Sequence, residues 1–208
     1  MKHWAPLLHI YQPPTQEIDV LKKINQECYL PLLSMIERHP KIKLTLNING
    51  CLIDLLNDYG FSETIEILVK LVDQGIVEIV GTAKFHPLLP LIQEKEIVRQ
   101  INLNEKTNKA TFGDNWTHGG FFPPELAISD NVLKLIAYEG YQWVLAAGIA
   151  CDEEWPIDVI YQTQTNLSIF FRDDIISNEI SFNKIKAEEF IEKLKTNYEK
   201  DDYYIMTA

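Results

Sequence analysis

Short apolar segments alternate with longer stretches of helical periodicity along the whole chain. Strands that alternate with helices are predicted to be parallel, because each crossover returns the chain to the same edge of the sheet. Runs that are apolar without alternation indicate a sheet covered on both faces. The predicted strands occupy residues 5–10, 42–48, 76–81, 119–122, 141–148, 167–173 and 201–208. The predicted helices occupy residues 17–38, a stretch bracketing Gly60, residues 93–108, a short helix capped by Ser129 and ended by Gly140, and residues 183–197.

Seven strands connected in this way fit either a seven-stranded barrel or a doubly wound open sheet. A dinucleotide-binding sheet carries G-x-G-x-x-G after its first strand. Here the corresponding segment, "HIYQPPT", contains no glycine. The sequence therefore predicts an α/β fold, a (β/α)7 barrel of parallel strands, with residues 1–208 forming a single domain.

The charge of the chain argues against two classes of partner. The net charge is −11 and the acidic residues are scattered, so neither nucleic acid nor an anionic membrane is an expected partner. The three cysteines, Cys28, Cys51 and Cys151, are far apart and form no C-x-x-C motif, which favours a reducing compartment. The amino terminus lacks a signal-peptide pattern, and no segment approaches the ~20 apolar residues of a membrane span. We expect a cytoplasmic protein.

Polar side chains collect where the predicted strands end. In parallel α/β folds the ligand lies at the carboxyl ends of the strands, so these side chains predict a site on that rim. They are His9, Tyr11 and Gln12 at the first strand, Asn47 and Asn49 at the second, Glu78 and His86 at the third, Phe122 and Glu125 at the fourth, and Arg172 at the sixth.

Several of these residues also have a structural interpretation. His9 fits a hydrogen-bonded core histidine, and Asn47 and Asn49 are first of all turn formers. Glu78 lies inside an apolar run, where an unpaired charge costs several kcal/mol. Arg172 is the available partner for it, either in a structural ion pair or beside a bound substrate.

Glu125 comes directly after Pro123 and Pro124. Proline fixes φ and lacks an amide donor, so two prolines end the strand and stiffen the next residues of the chain. The neighbouring Phe122 and Leu126 reduce hydration around the carboxylate, which suits an attacking group. The alternative is an acid near a helix entry, favoured there by the macrodipole.

Three segments of the chain resemble sequence regions of glycoside hydrolase family 57. They are "LLHIYQPP", "GIVEIVGTAKFHPLLPLI" and "GGFFPPELAIS", and they occur in the family's order. The resemblance spans essentially the whole chain. It implies a (β/α)7 barrel and a retaining enzyme acting on α-glucans, such as an α-amylase, 4-α-glucanotransferase, branching enzyme or α-galactosidase. It implies an α-glucan or oligosaccharide as substrate, without a metal or other cofactor.

The resemblance also implies roles for individual residues. Glu125 matches the nucleophile at the end of the fourth strand. His9 and Gln12 match the histidine and glutamine of the first region, near the donor subsite. Glu78 matches a glutamate that holds substrate hydroxyls, and His86 lies in the loop of the same region.

Two positions depart from the family pattern. Tyr11 stands where members often have a second histidine, and Phe122 stands where a tryptophan is common. Both substitutions keep an aromatic surface but change a hydrogen-bond donor, which leaves the glycan preference open. Arg172 is a further candidate substrate contact.

The expected acid/base is the largest departure. Family members take it from an aspartate just beyond the seventh strand, whereas this sequence ends at Ala208. Asp201 and Asp202 precede that strand, at its wrong end. We therefore expect a barrel truncated after its seventh strand, with weak glucan binding and very slow turnover.

Two alternatives of other classes stay open. A metal-dependent polysaccharide deacetylase or zinc α-mannosidase-like hydrolase shares a similar barrel, but its site requires clustered ligands such as H-x-x-x-H or H-x-D. The five histidines, His3, His9, His39, His86 and His118, show neither spacing. The other alternative is a non-catalytic carbohydrate-binding relic. The sequence leaves oligomeric state and the choice between hydrolysis and transfer open.

Overall fold

The computed structural model describes residues 2–152, 156–196 and 203–207. Asp201, Asp202 and Ala208 lie outside the described residues. The strands are β1 Lys2–Ile10, β2 Leu44–Ile48, β3 Val77–Ile79, β4 Gly120–Phe121, β5 Trp143–Ala146, β6 Tyr161–Gln162, β7 Ser168–Phe171 and β8 Tyr203–Thr207. The helices are α1 Ile18–Ile24, α2 Leu30–Glu37, α3 Gly50–Asp58, α4 Ser62–Asp73, α5 Glu94–Phe112, α6 Asp130–Tyr138, α7 Asp174–Ser181 and α8 Ala187–Thr196.

The strands pair in a parallel order that tracks the chain. One sheet has the order β3-β2-β1-β8 and the other the order β4-β5-β7-β6. A parallel bridge between Gly81 and Phe121 joins them, so the parallel strands run β8, β1, β2, β3, β4, β5, β7. The predicted α/β class with parallel strands is confirmed. The antiparallel strand β6 was missed, because two residues are too short to show a period.

The sheet curls so that distant strands meet. The rings of His9 on β1 and Phe122 after β4 are stacked with centroids 4.9 Å apart. In a flat sheet, strands three places apart would be separated by about 14 Å. The contact therefore requires the sheet to wrap around an interior.

Alternate residues of the strands face opposite sides of this sheet. On β2, Leu44, Leu46 and Ile48 pack in the core cluster shared with the helices. A second cluster on the other face joins residues from four strands or their ends: Leu7, Val80, Phe122, Leu126 and Leu145. Phe122 and Leu126 of this interior cluster come from the same segment as Glu125, so the cluster lies next to the candidate site.

Local chemistry explains most departures from the predicted helices. The helix predicted over residues 17–38 is interrupted by a π segment, Asn25–Tyr29, because Pro31 in the first turn of α2 cannot donate to the carbonyl four residues earlier. Helix α7 was not predicted, although Asp173 caps it by accepting a hydrogen bond from Ile176 N at 2.9 Å. The predicted Ser129 cap of α6 is confirmed by the bond from Val132 N at 3.3 Å.

None of the described helices combines the length and the apolar character that crossing a bilayer requires.

Candidate active site

Glu125 lies in a strained turn at the carboxyl end of β4. Pro123 and Pro124 end the strand, and a 3-10 turn, Pro124–Leu126, comes next. Glu125 and Leu126 both adopt left-handed backbone, with φ of 56° and 54°. For residues other than glycine this conformation costs about 1–3 kcal/mol each, and it persists only where the surroundings hold it. The turn therefore sets the position of the carboxylate.

His86 contacts this carboxylate from a second strained turn. Its Nε2 lies 3.2 Å from Glu125 Oε1, and its own φ is 57°. The His86 side chain is 7% exposed, whereas that of Glu125 is 69% exposed. A buried imidazole thus holds one oxygen of a carboxylate whose other face is open to solvent.

Four rings form an aromatic column beside Glu125. The column consists of Phe122, His9, His86 and Tyr11, with neighbouring centroids 4.9, 5.0 and 4.5 Å apart. The interplanar angles of these three pairs are 12°, 17° and 23°, so the rings are stacked. Segments from three parts of the chain contribute to it, and the stacking fixes the planes of both histidines.

Two asparagines, Asn47 on β2 and Asn49 just after it, contact the ring nitrogens of these histidines. Asn47 Oδ1 lies 2.6 Å from His9 Nδ1, and because an amide oxygen only accepts, this nitrogen of His9 carries the proton. Asn49 Nδ2 donates to Ala83 O at 2.8 Å and lies 3.4 Å from His86 Nδ1. The interpretation of Asn47 as a turn residue is wrong, because Asn47 lies within β2. Asn49 does lie in the connection between β2 and α3, and both side chains are buried.

The surroundings favour the neutral form of both histidines. Burial lowers the pKa of His9, more than the hydrogen bond with Asn47 raises it. Burial likewise lowers the pKa of His86, against the smaller opposing effect of the Glu125 carboxylate. At neutral pH both rings are therefore uncharged acceptors and donors of hydrogen bonds.

A pocket of about 290 Å³ opens beside Glu125. The structure brings four predicted site residues together in its lining, which consists of His9, Phe122, Glu125, Leu126, Ala147 and Arg172. The ion pair of Arg172 with Glu78, one of the two interpretations left open by the sequence, is not formed. The Arg172 guanidinium donates instead to Asp174 Oδ1 at 2.8 Å and to Asn178 Oδ1 at 3.1 Å, both on α7.

Four predicted site residues are outside this lining: Tyr11 and His86 belong to the aromatic column, whereas Glu78 and Gln12 belong neither to it nor to the lining. Glu78 pairs in register with Thr45, two residues before Asn47, so it lies about 6.6 Å nearer the amino ends of the strands than the His9–Asn47 pair. Glu78 is an exposed residue, yet partial desolvation by its surroundings raises the pKa of its carboxyl group. Gln12 is turned toward the first helices, where its side chain contacts Tyr29 at 3.3 Å and Gln16 at 2.5 Å.

Within the part of the chain that the structure describes, no group of three or more His, Cys, Asp or Glu side chains is placed to hold a metal ion. The ligand set required by the metal-dependent alternative is thus not assembled by these residues.

The strand period predicts which way the rim residues Asn47 and Asn49 face. Both come after Thr45 at steps of two and so share the face opposite to the leucines of β2. Fold and pocket together place the chain in the class of parallel α/β proteins whose ligand site lies at the carboxyl ends of the strands.

Within that class, the chain belongs to glycosyl hydrolase family 57, whose model matches residues 6–207. The family resemblance of the three sequence segments is thereby confirmed. The chain is 27% identical over 197 residues to an α-amylase of Pyrococcus furiosus, which covers 90% of this chain and 29% of that protein. It is 24% identical over 199 residues to a 4-α-glucanotransferase of Thermococcus kodakarensis, with coverage of 90% and 29%.

The fold is similar to that of a 4-α-glucanotransferase from Thermococcus litoralis, with a TM-score of 0.83 and 17% sequence identity. The match covers 100% of this chain and 32% of that one. The chain thus spans about a third or less of the length of these relatives.

Proposed function

We propose that this chain is the nucleophile-bearing part of a retaining glycosidase or glycosyl transferase acting on α-glucans, with Glu125 as the nucleophile. Membership of glycosyl hydrolase family 57 supports a reaction at a glycosidic bond. The similarity to an α-amylase and a 4-α-glucanotransferase supports an α-glucan as the substrate. The observation that carries the proposal is the Glu125 carboxylate, held by a strained turn in a pocket at the carboxyl ends of the strands. In this proposal the strands close into a (β/α)7 barrel through β7 and β8.

In the proposed mechanism Glu125 attacks the anomeric carbon and displaces the leaving sugar. The bond between sugar and leaving oxygen breaks, and a glycosyl ester forms on one oxygen of Glu125. His86 holds Oε1 by a hydrogen bond, which leaves Oε2 as the attacking oxygen. His9 and Arg172 line the same pocket and are proposed to bind sugar hydroxyls. Tyr11 completes the aromatic column.

Retention requires a second carboxyl group, about 5–5.5 Å from the first, to protonate the leaving oxygen and later to activate the acceptor. Among the described residues that line the pocket, Glu125 supplies the single carboxylate. Loss of general acid–base help typically slows such a reaction by about 10²–10⁴-fold. We therefore propose that the 208-residue chain by itself turns over natural glucans very slowly.

A substrate with an activated leaving group tests the nucleophile separately from the acid. α-Maltosyl fluoride needs little protonation of its leaving group, so Glu125 can react with it without help. Because hydrolysis of the glycosyl ester still needs a base, we expect the ester to accumulate. Intact-protein mass spectrometry should show the addition of one maltosyl group, and peptide mapping should locate it at Glu125.

The matched controls are Glu125→Ala, which should give no adduct, and Asp130→Ala, which removes an exposed acid nearby and should react like the natural protein. An adduct on another residue would place the nucleophile elsewhere. Binding of maltooligosaccharides without any adduct would favour the non-catalytic carbohydrate-binding alternative. That alternative is also supported by the presence of one carboxylate, Glu125, among the described residues that line the pocket.

A further inference from the structure

The edge contacts of His86 carry an inference beyond the identity of the nucleophile. His86 meets Asn49 through Nδ1 and Glu125 through Nε2. A neutral imidazole has one proton to place on these two nitrogens, so the neighbours decide which nitrogen donates and which accepts.

The orientation of the Asn49 amide is fixed independently of His86. Asn49 is fully buried, and its Nδ2 lies 2.8 Å from the carbonyl oxygen of Ala83. A backbone carbonyl can only accept, so the nitrogen of the amide must face Ala83. The same nitrogen lies 3.4 Å from His86 Nδ1 and presents its second N–H group there. A proton on Nδ1 would place two N–H donors, one from Asn49 and one from His86, opposite each other without an acceptor between them.

The contact between His86 and Glu125 leads to the same tautomer. A carboxylate only accepts, and its Oε1 lies 3.2 Å from His86 Nε2. Both contacts therefore require the proton on Nε2 and the lone pair on Nδ1. Ala83 O also accepts from the backbone N of His86 at 3.2 Å, which closes the turn that contains His86. Asn49 is therefore hydrogen-bonded to the same turn.

We propose that Asn49 is a positioning residue that holds neutral His86 in its Nε2–H form, so that His86 permanently presents a hydrogen-bond donor to Glu125. The role of this donor in catalysis rests on the proposed function. There it keeps one carboxylate oxygen occupied and the other free to attack. His9 is held in the opposite form by Asn47, whose oxygen accepts from Nδ1. Asn47 on β2 and Asn49, two residues further along the chain, thus set two stacked histidines to opposite tautomers.

The tautomer can be measured directly on the 208-residue protein labelled with ¹⁵N-histidine. Long-range ¹H–¹⁵N correlation spectra, recorded at a pH where the histidines are neutral, distinguish a protonated from an unprotonated ring nitrogen. We expect Nε2 of His86 to resonate far upfield of Nδ1, as a protonated nitrogen does. For His9 we expect the reverse. The Nδ1–H form of His86 in the natural protein would overturn the proposal.

Two variants separate the effect of Asn49 from that of Glu125. In Glu125→Ala, which changes an exposed side chain, the Nε2–H form should persist because Asn49 still donates to Nδ1. In Asn49→Asp, both neighbours of the ring are acceptors, so a proton on each nitrogen is favoured. Nδ1 should then move upfield toward Nε2, and the large separation of the two signals should be lost. Loss of the Nε2–H form in Glu125→Ala would show that Glu125 alone sets the tautomer and would overturn the role of Asn49.

Asn47→Ala, two residues before Asn49, is the matched control, since it should alter the His9 signals and leave the tautomer of His86 unchanged. If Asn49→Asp does not fold, the spectra of the natural protein and of Glu125→Ala still decide the question. None of these measurements requires glycosidase activity. Failure of the maltosyl labelling experiment and failure of the tautomer assignment are therefore distinguishable.

Discussion

Glu125 accepts a hydrogen bond from His86 across 3.2 Å, and both residues have left-handed backbone, with φ of 56° and 57°. The two residues lie on separate loops, after β4 and β3. Strain on both sides of one hydrogen bond means that the packing around the loops, and not local preference, sets the geometry. Such an arrangement is typical of functional sites, where position is maintained at the expense of stability.

The strain at Glu125 predicts a stabilising substitution. Asparagine tolerates left-handed backbone better than glutamate, so Glu125→Asn should raise the free energy of unfolding by about 1 kcal/mol. Denaturant titration measures this change. Glu125→Ala removes the same carboxylate without the conformational benefit and should not stabilise the protein. A destabilised Glu125→Asn would mean that the carboxylate contributes more to the fold than its exposed position indicates.

Burial of His9 and His86 predicts a loss of stability in mild acid. Both pKa values lie below the ordinary 6.5 in the folded protein, chiefly because of burial. Between the folded pKa values and 6.5 the unfolded chain binds more protons, so the free energy of unfolding should fall as the pH drops below 6.5. Replacing both residues with glutamine should flatten this part of the pH profile. His39→Gln, at an exposed position outside the aromatic column, is the control for the substitution itself.

Glu78 predicts a pH dependence at lower pH, also of a definite sign. Desolvation raises its pKa above the ordinary 4.5, so ionisation costs more in the folded state. Its contribution to stability is complete below 4.5 and is lost as the pH rises through the raised pKa. Glu78→Gln should therefore be more stable than the natural protein at neutral pH, with the difference disappearing in acid.

Chemical denaturation across this pH range tests the prediction for Glu78, with the exposed Glu66→Gln on α4 as the control. A less stable Glu78→Gln at neutral pH would reveal that the carboxylate is stabilised by a favourable partner and would contradict the desolvation argument.

Gly120 predicts a steric requirement where β4 meets β5. A Cβ atom at this position would lie 2.1 Å from Cζ2 of Trp143 on the neighbouring strand. Gly120→Ala should therefore lower the free energy of unfolding by about 1–3 kcal/mol through overpacking. Adding Trp143→Leu, which removes the clashing ring, should restore part of the loss relative to Trp143→Leu alone. Equal losses with and without the ring would exclude this contact as the cause.

The alternation of apolar runs and helical periods determined the α/β class and the parallel strands, because a strand period of two and a helix period of 3.6 are properties of local backbone geometry. The segment "GGFFPPELAIS" also predicted a fixed position for Glu125 and made it a candidate site residue, since two prolines constrain the backbone wherever they occur. Segments with weak periodicity were missed: β6 is two residues long, and α7 begins beside a polar "RDD" segment.

Only the tertiary structure decided how the candidate site residues relate to one another. The curl of the sheet stacked His9 on Phe122, and register along the strands placed Glu78 nearer the amino ends than His9. The tertiary structure also paired Arg172 with Asp174, and it brought Asn47 and Asn49 into contact with His9 and His86. These relations depend on distances between segments far apart in the chain. Local preferences say nothing about such distances, because they arise from the packing of all the strands and helices together.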